Sequence, residues 1–380
     1  GLMTPVGMAM LFRVFPPAER VRASSILTIP TALAPALGPV LGGVFVTEVS
    51  WRWVFYVNLP IGIAAFVFGL LFLADQPQPG AGRFDLPGFV LAGAGLGMLM
   101  YGLSEGPIKG WSTPDVVTTS CLGAVLLVVL VAVELSRREA PLVDFRLYAD
   151  RLFRAMNLVL FLGVSGFLGT LYLSALFLQD ALHLSALQTG LLIFPEAIGV
   201  MCGSQLVTRV IYPVTGPKRL MAGALVVAAA AMAGLAGVDL TTSLWLIRLD
   251  MFFLGAGMSG MLIPAQAAAF TTLPPASTGR GSMLFNTQRQ VGGAIGVAVI
   301  TTVLAAGDPV RAVAGHLVPH LAAYHLAFLV AAACTILACL SAFLVNDADA
   351  QATITRRIGT PARSTGRAGE VAGPAVLETA

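Results

Sequence analysis

Residues 26–46 read ILTIPTALAPALGPVLGGVFV. The stretch is long enough to cross a bilayer as a helix and carries no charge. Yet it holds Pro30, Pro35 and Pro39, together with Gly38, Gly42 and Gly43. In a water-exposed helix each interior proline would cost about 3 kcal/mol. Inside a membrane the carbonyls they free, on Ile26, Thr31 and Pro35, can be satisfied locally, by neighbouring helices or by water. Ala34, Gly38 and Gly42 recur every fourth residue, so one face is nearly bare and admits another helix backbone to backbone. A kinked span with a smooth face is a surface for helices to move against.

The rest of the chain has the composition such a span needs. Hydrophobic residues make up 57% and charged residues 11%, where soluble domains run near a quarter charged. An all-α integral membrane protein is predicted. Apolar runs of about 20 residues place full spans at 23–46, 52–73, 86–104, 115–135, 155–179, 187–210, 219–238, 242–268, 281–305 and 321–345, after a stub at 1–13. That is far more than an anchor requires. Gly1 lies inside an apolar run, with neither a start methionine nor a signal peptide in view. Cys121, Cys202, Cys334 and Cys339 all fall in apolar spans without C-x-x-C spacing, so neither a disulfide framework nor a metal site is expected.

Basic residues orient the chain. One set of alternate loops and the tail hold 17 of the 22 Lys and Arg, among them Arg13, Arg20, Arg22, Arg137, Arg138, Arg151, Arg154, Lys218, Arg219 and Arg280. The positive-inside rule makes that side cytoplasmic and puts the C-terminus there. The net charge of +3 is thus accounted for by topology, and no nucleic-acid partner is implied.

The residues Gly38-Pro39-x-x-Gly42-Gly43, followed by TEVSWRWVFYVNLPIG (Thr47 to Gly62), resemble the antiporter signature of the major facilitator superfamily. The match is closest to its fourteen-span drug:proton antiporter family, although Ala34 stands where that family usually has glycine. The resemblance implies that this helix seals the interface between two halves and favours exchange over uniport. An internal repeat agrees. PPAERVRAS (Pro16 to Ser24) aligns with PPASTGRGS (Pro274 to Ser282) at an offset of 258, pairing Arg22 with Arg280, Ser24 with Ser282 and Gly38 with Gly296. Both segments precede a Gly-rich span of the same orientation, the pattern of parallel transporter halves. Against six, two and six spans, about three and a half are missing at the amino end. The expected domains are therefore the remainder of an N-terminal six-helix bundle at 1–73, two linker helices at 74–136, a C-terminal six-helix bundle at 137–345, and a disordered cytoplasmic tail at 346–380.

The linker helices show no buried charge in this reading and are assigned no chemistry. The stretch 134–154 is expected to be a partly helical cytoplasmic connector. Elsewhere, charge within a span costs roughly 2.5–3.5 kcal/mol, so each instance asks for a reason. Glu196, in LLIFPEAIGVMCGS, lies beside Pro195 and shares a helical face with Gly199 and Gly203, so its carboxylate can look into a crevice and carry a proton. Asp250, in SLWLIRLDMFFLGAGMSG, shares its face with Gly257 and Met261, on the span that resembles the family's cavity-lining helix. Arg248 points elsewhere on that helix and is a possible partner for Glu196. Arg289, in FNTQRQVGGAIGV, sits among Asn286, Gln288 and Gln290, and resembles the family's polar patch on this helix. A permanently charged guanidinium can pair an acid or a substrate anion, or latch a gate. Glu196, Asp250 and Arg289 are thus the candidates for proton coupling or substrate binding, with Asn286 and Gln290 as polar cavity residues. Gln179 and Asp180 read as interfacial. His316 and His320 have the spacing of a helical metal pair but no further ligand. Met251, Met258 and Met261 could form a pliable wall or be simple packing.

A proton-driven antiporter exporting drugs or other small amphiphilic compounds is the expected function, with alternating access about a midplane cavity. It would be a multi-pass plasma-membrane protein and a monomer. Its partners would be a small-molecule substrate, protons and the lipid bilayer, with no cofactor. No nucleotide-binding P-loop is present to make ATP the direct energy source. Three alternatives stay open: a dedicated exporter of one metabolite or antibiotic, a transport-inactive truncated remnant, and a membrane-embedded enzyme. The last would need a cluster of His, Asp and Glu or a nucleophile with its base, which the sequence does not offer.

Overall fold

The computed structural model of the protein describes Gly38 and residues 41–72, 85–136, 143–274, 277–313 and 316–347. The stub at 1–13, most of the span at 23–46, Pro39, and the tail from residue 348 onward lie outside the described residues. Among those described, nine helices are long and apolar enough to cross a membrane. A short helix Trp53–Tyr56 leads into α1 (Asn58–Phe72). There follow α2 (Leu86–Lys109), α3 (Pro114–Ser136), α4 (Arg151–Leu176), α5 (Ala186–Leu206), α6 (Tyr212–Leu235), α7 (Leu244–Ala268), α8 (Thr278–Ala306) and α9 (Leu321–Ala342). The all-α membrane architecture holds, with one addition. The stretch between α8 and α9 forms a small antiparallel hairpin of β1 (Val310–Val313) and β2 (His316–Pro319).

Helices α4 to α9 pack into one bundle. In it α4 lies against α7, α8 and α9, α5 packs on α7, and α6 packs on α7 and α9. Helices in lipid gain little from the hydrophobic effect between them, so close approach of small residues must hold them. The glycines serve this purpose. A Cβ on Gly199 would collide with the Phe252 carbonyl, and one on Gly255 with the Glu196 carbonyl, locking α5 to α7. Likewise Gly296 of α8 sits on the Ser165 carbonyl of α4, and Gly166 of α4 meets Thr335 of α9. The Ser165 hydroxyl donates to the Gly292 carbonyl at 2.7 Å, adding an interhelical hydrogen bond.

Local signals set the helix ends. Asp150 caps α4 by accepting from the Phe153 N–H at 2.8 Å, and Ser185 and Gln188 form a reciprocal capping box on α5. Helix α6 is broken at Gly216, whose φ of 73° only glycine adopts without strain. Its transmembrane part starts at Pro217, a residue suited to a first helical turn.

Helices α2 and α3 form a hairpin that packs on α8, fixed where the Trp111 Nε1–H donates to Thr302 Oγ1 at 3.0 Å. Helix α1 buries none of its side chains among the described residues. Two expectations need correction here. Glu134 belongs to α3 and is 2% exposed, so the linker pair does carry a buried charge. It lies against Gly88 of α2, where a Cβ would stand 2.5 Å from both the Glu134 and the Asp85 carboxylates. The connector is also shorter than expected, because α4 already begins at Arg151. Its described part holds one 3-10 turn, Phe145–Ala149.

Candidate functional site

The Gly/Pro-rich helix enters the described structure near its C-terminal end. Gly38 and Gly42 have nothing within 4 Å of where a Cβ would stand, among the described residues. Gly43 is different: a Cβ there would lie 2.7 Å from the Leu187 Cα and 2.8 Å from the Ala186 carbonyl oxygen. Backbone therefore meets backbone at the first turn of α5, so the helix ahead of Trp51 rests on the bundle of α4 to α9.

Glu196 lies ten residues into that same α5, about 15 Å along its axis. It is 5% exposed and makes no hydrogen bond or ion pair with any described residue. Gly199 and Gly203, which the sequence places on its face, are filled by the α7 backbone around Phe252 and Ala256. Their role is contact, and they do not open a crevice. Arg248 does not reach Glu196. Its guanidinium lies over the Trp245 ring, 4.6 Å from the centroid, because a residue in the first turn of α7 can fold back on the ring three residues earlier.

Asp250 sits on α7 and faces α6. Its carboxylate oxygens lie 2.8 and 3.0 Å from where a Cβ on Gly234 would stand, and Oδ2 is buried without a hydrogen-bond partner. Gly257, on the same face, meets the Ala224 carbonyl and Ala228 of α6. Asp250 therefore occupies the α6–α7 seam, whereas Glu196 belongs to the α5–α7 pair. Both acids share α7 as a neighbour and neither has a cation within 4.0 Å among the described residues.

The polar patch on α8 divides. Asn286 is spent on its own helix, donating to the Ser282 carbonyl at 2.9 Å. Gln290 is exposed, and Arg289 is half-buried with no ion pair to either acid. Gln288 is the residue that reaches across: its Nε2 donates to the Asn157 carbonyl of α4 at 3.1 Å, and its Oε1 accepts from the Tyr148 hydroxyl. Around it the connector is strapped to the end of the bundle where α4 begins. Arg280 pairs with Asp144 at 3.6 Å, and the Thr272 hydroxyl donates to Asp150 at 2.9 Å.

Sequence reasoning passed over Tyr148, Asn157 and Asp347. Asn157 was visible as a lone amide in an apolar run. Asp347 could not be found that way, because its work is done on residues far along the chain. It accepts from the Lys218 N–H at 2.9 Å and its carboxylate stands beside Gly216. The first two residues of the expected tail are thus ordered. His316 opens strand β2 and His320 follows it, so their helical spacing does not apply, and His320 contacts the Gly307 carbonyl at 2.8 Å. Among the described residues no group of His, Cys, Asp and Glu could hold a metal ion. Gln179 and Asp180 are exposed in the helical turn Phe177–Ala181 that follows α4.

The sequence model of the Major Facilitator Superfamily matches residues 1–297. A multidrug resistance protein B homolog of Mycobacterium tuberculosis is 32% identical over 307 residues, covering 80% of this chain and 57% of the relative. A puromycin resistance protein of Streptomyces alboniger is 32% identical over 305 residues, covering 79% and 60%. A lincomycin resistance protein of Listeria monocytogenes is 29% identical over 309 residues, covering 81% and 65%. The chain thus spans between 57% and 65% of the length of these relatives.

Proposed function

Because this chain belongs to the major facilitator superfamily, we propose that it works as a secondary active exporter of drugs or other small amphiphilic compounds, driven by proton antiport. It is a multi-pass membrane protein. Its place in the plasma membrane, with a cytoplasmic C-terminus, and its monomeric state belong to the same proposal. So does the division into an N-terminal bundle remainder at 1–73, linker helices at 74–136, a C-terminal bundle at 137–345 and a tail at 346–380.

One observation carries the reading. Two carboxylates, Glu196 and Asp250, are embedded in apolar helices and no cation among the described residues pairs with them. An unpaired charge at that depth is costly, and a proton removes the cost. Protonation and substrate can then favour opposite conformations, which is the coupling an antiporter needs. We assign proton handling first to Glu196 and second to Asp250. Arg289, Asn286 and Gln290 are assigned to the substrate path, and Gly38, Pro39, Gly42 and Gly43 to the sliding interface. Resistance to puromycin and lincomycin among the relatives supports an antibiotic-like substrate.

The test is uptake of ethidium and of labelled puromycin into inverted vesicles, with and without an imposed proton gradient. Gradient-dependent uptake is expected, and Glu196→Gln should reduce it to the level seen after the gradient is collapsed while membrane insertion stays normal. Uptake with unchanged pH dependence in Glu196→Gln would remove that residue from the coupling step. Uptake indifferent to the gradient in the unaltered protein would remove proton antiport itself.

A further inference from the structure

At the cytoplasmic end of the bundle, the start of α4 and the end of α9 enclose an open groove of about 170 Å³ lined by Arg151, Arg154, Ala155, Leu158 and Leu344. Arg151, Arg154, Ala155 and Leu158 follow helical spacing, so two guanidinium groups stand above an apolar strip on one face of α4. Leu158 is 38% exposed and Leu344 is 54% exposed, which makes this strip face the bilayer and leaves it uncovered by the bundle. Among the described residues no carboxylate pairs with either charge. Among the described residues Arg151 has no ion pair, and Arg154 donates to the Tyr148 carbonyl alone, at 2.8 Å. The nearest acid on the same element, Asp150, is already engaged by the Phe153 N–H and the Thr272 hydroxyl. Asp347, following α9, is committed to the Lys218 N–H. No carboxylate lines the groove among the described residues.

Two uncompensated cations at the depth where a span meets the cytoplasmic headgroups, above an apolar channel leading into the bilayer, complement one class of molecule. We propose that this groove binds an anionic phospholipid. The phosphodiester would sit between Arg151 and Arg154, and an acyl chain would lie along Ala155, Leu158 and Leu344 in the α4–α9 seam. Planar guanidinium groups suit a phosphodiester because they can donate paired hydrogen bonds, where a lysine offers a point charge. The site stands apart from Glu196 and Asp250; it rests on the cytoplasmic orientation proposed above and not on proton coupling. By bridging α4 and α9 at their cytoplasmic ends, a bound lipid would brace the same end that the Asp144–Arg280 pair ties together.

The test is native mass spectrometry of the protein released from bilayers of equal phosphatidylglycerol and phosphatidylcholine. The unaltered protein is expected to retain phosphatidylglycerol in preference to phosphatidylcholine. Arg151→Gln with Arg154→Gln should lower that retention roughly tenfold or more, from the weight of two basic residues at an anionic surface. Arg209→Gln with Arg219→Gln, which removes two exposed arginines elsewhere on the cytoplasmic side, should leave it unchanged. Leu158→Trp fills the groove without altering charge and should also release the lipid, so it decides the matter if the double glutamine variant fails to fold. Equal retention of the two lipids, equal loss in both double variants, or full retention in Leu158→Trp would each overturn the proposal.

Discussion

Gly255 has no room for a methyl group. Its Cα faces the Glu196 carbonyl, and the neighbouring contact of Gly199 with Phe252 is just as tight. Gly255→Ala should therefore force α5 and α7 apart, at the 1–3 kcal/mol typical of overpacking or about the upper end of it. The expected result is a lower melting temperature in detergent, with a larger loss than Gly38→Ala, whose position is open among the described residues. Equal melting of the two variants would show that the α5–α7 contact is not limiting. The same contact bears on the role proposed for Glu196. Its backbone is pinned by Gly255, so its side chain has a defined place, and Glu196→Gln changes the charge there with little change in volume.

At the scale of elements, α6 depends on a residue outside it. The break at Gly216 exposes the N–H groups of a new helix start, and Asp347 satisfies that of Lys218. Lys218 in turn lies over the Phe343 ring at 5.6 Å, so the end of α9 and the start of the transmembrane part of α6 hold each other. Asp347→Ala should lower stability by about 1 kcal/mol, as the loss of a helix cap does. It should also speed protease cleavage near 216–219 in inside-out vesicles. Unchanged cleavage and melting would show that the cap is dispensable. The existence of these helices was legible in the sequence from apolar length alone. The helical turn ahead of the break at Gly216 is not legible there, because Thr-Gly-Pro reads equally well as a loop between two spans.

On the scale of the whole molecule, three pieces are visible: the segment ending in α1, the α2–α3 hairpin against α8, and the bundle of α4 to α9. The link between the first and the last is Gly43 on Ala186 and Leu187. Cysteines placed at 43 and 187, after replacement of Cys121, Cys202, Cys334 and Cys339, should cross-link readily under mild oxidation. If the interface moves during transport, the cross-link should stop efflux and reduction should restore it. Failure to cross-link would place the two surfaces apart in the membrane.

Apolar periods, basic loops and the Gly/Pro stretch by themselves determined that the chain is a multi-span helical membrane protein with embedded acids at Glu196 and Asp250. These are properties of transfer from water to lipid, and transfer depends on composition along a segment. Tertiary structure decided which faces those acids take. It put Asp250 against Gly234, left Arg248 on Trp245, buried Glu134 beside Gly88, and chose Gly43 as the contact with α5. Helical phase alone cannot decide such pairings, because in a bilayer every face of an apolar helix is acceptable to lipid and only the backbone approach permitted by particular glycines selects the neighbour.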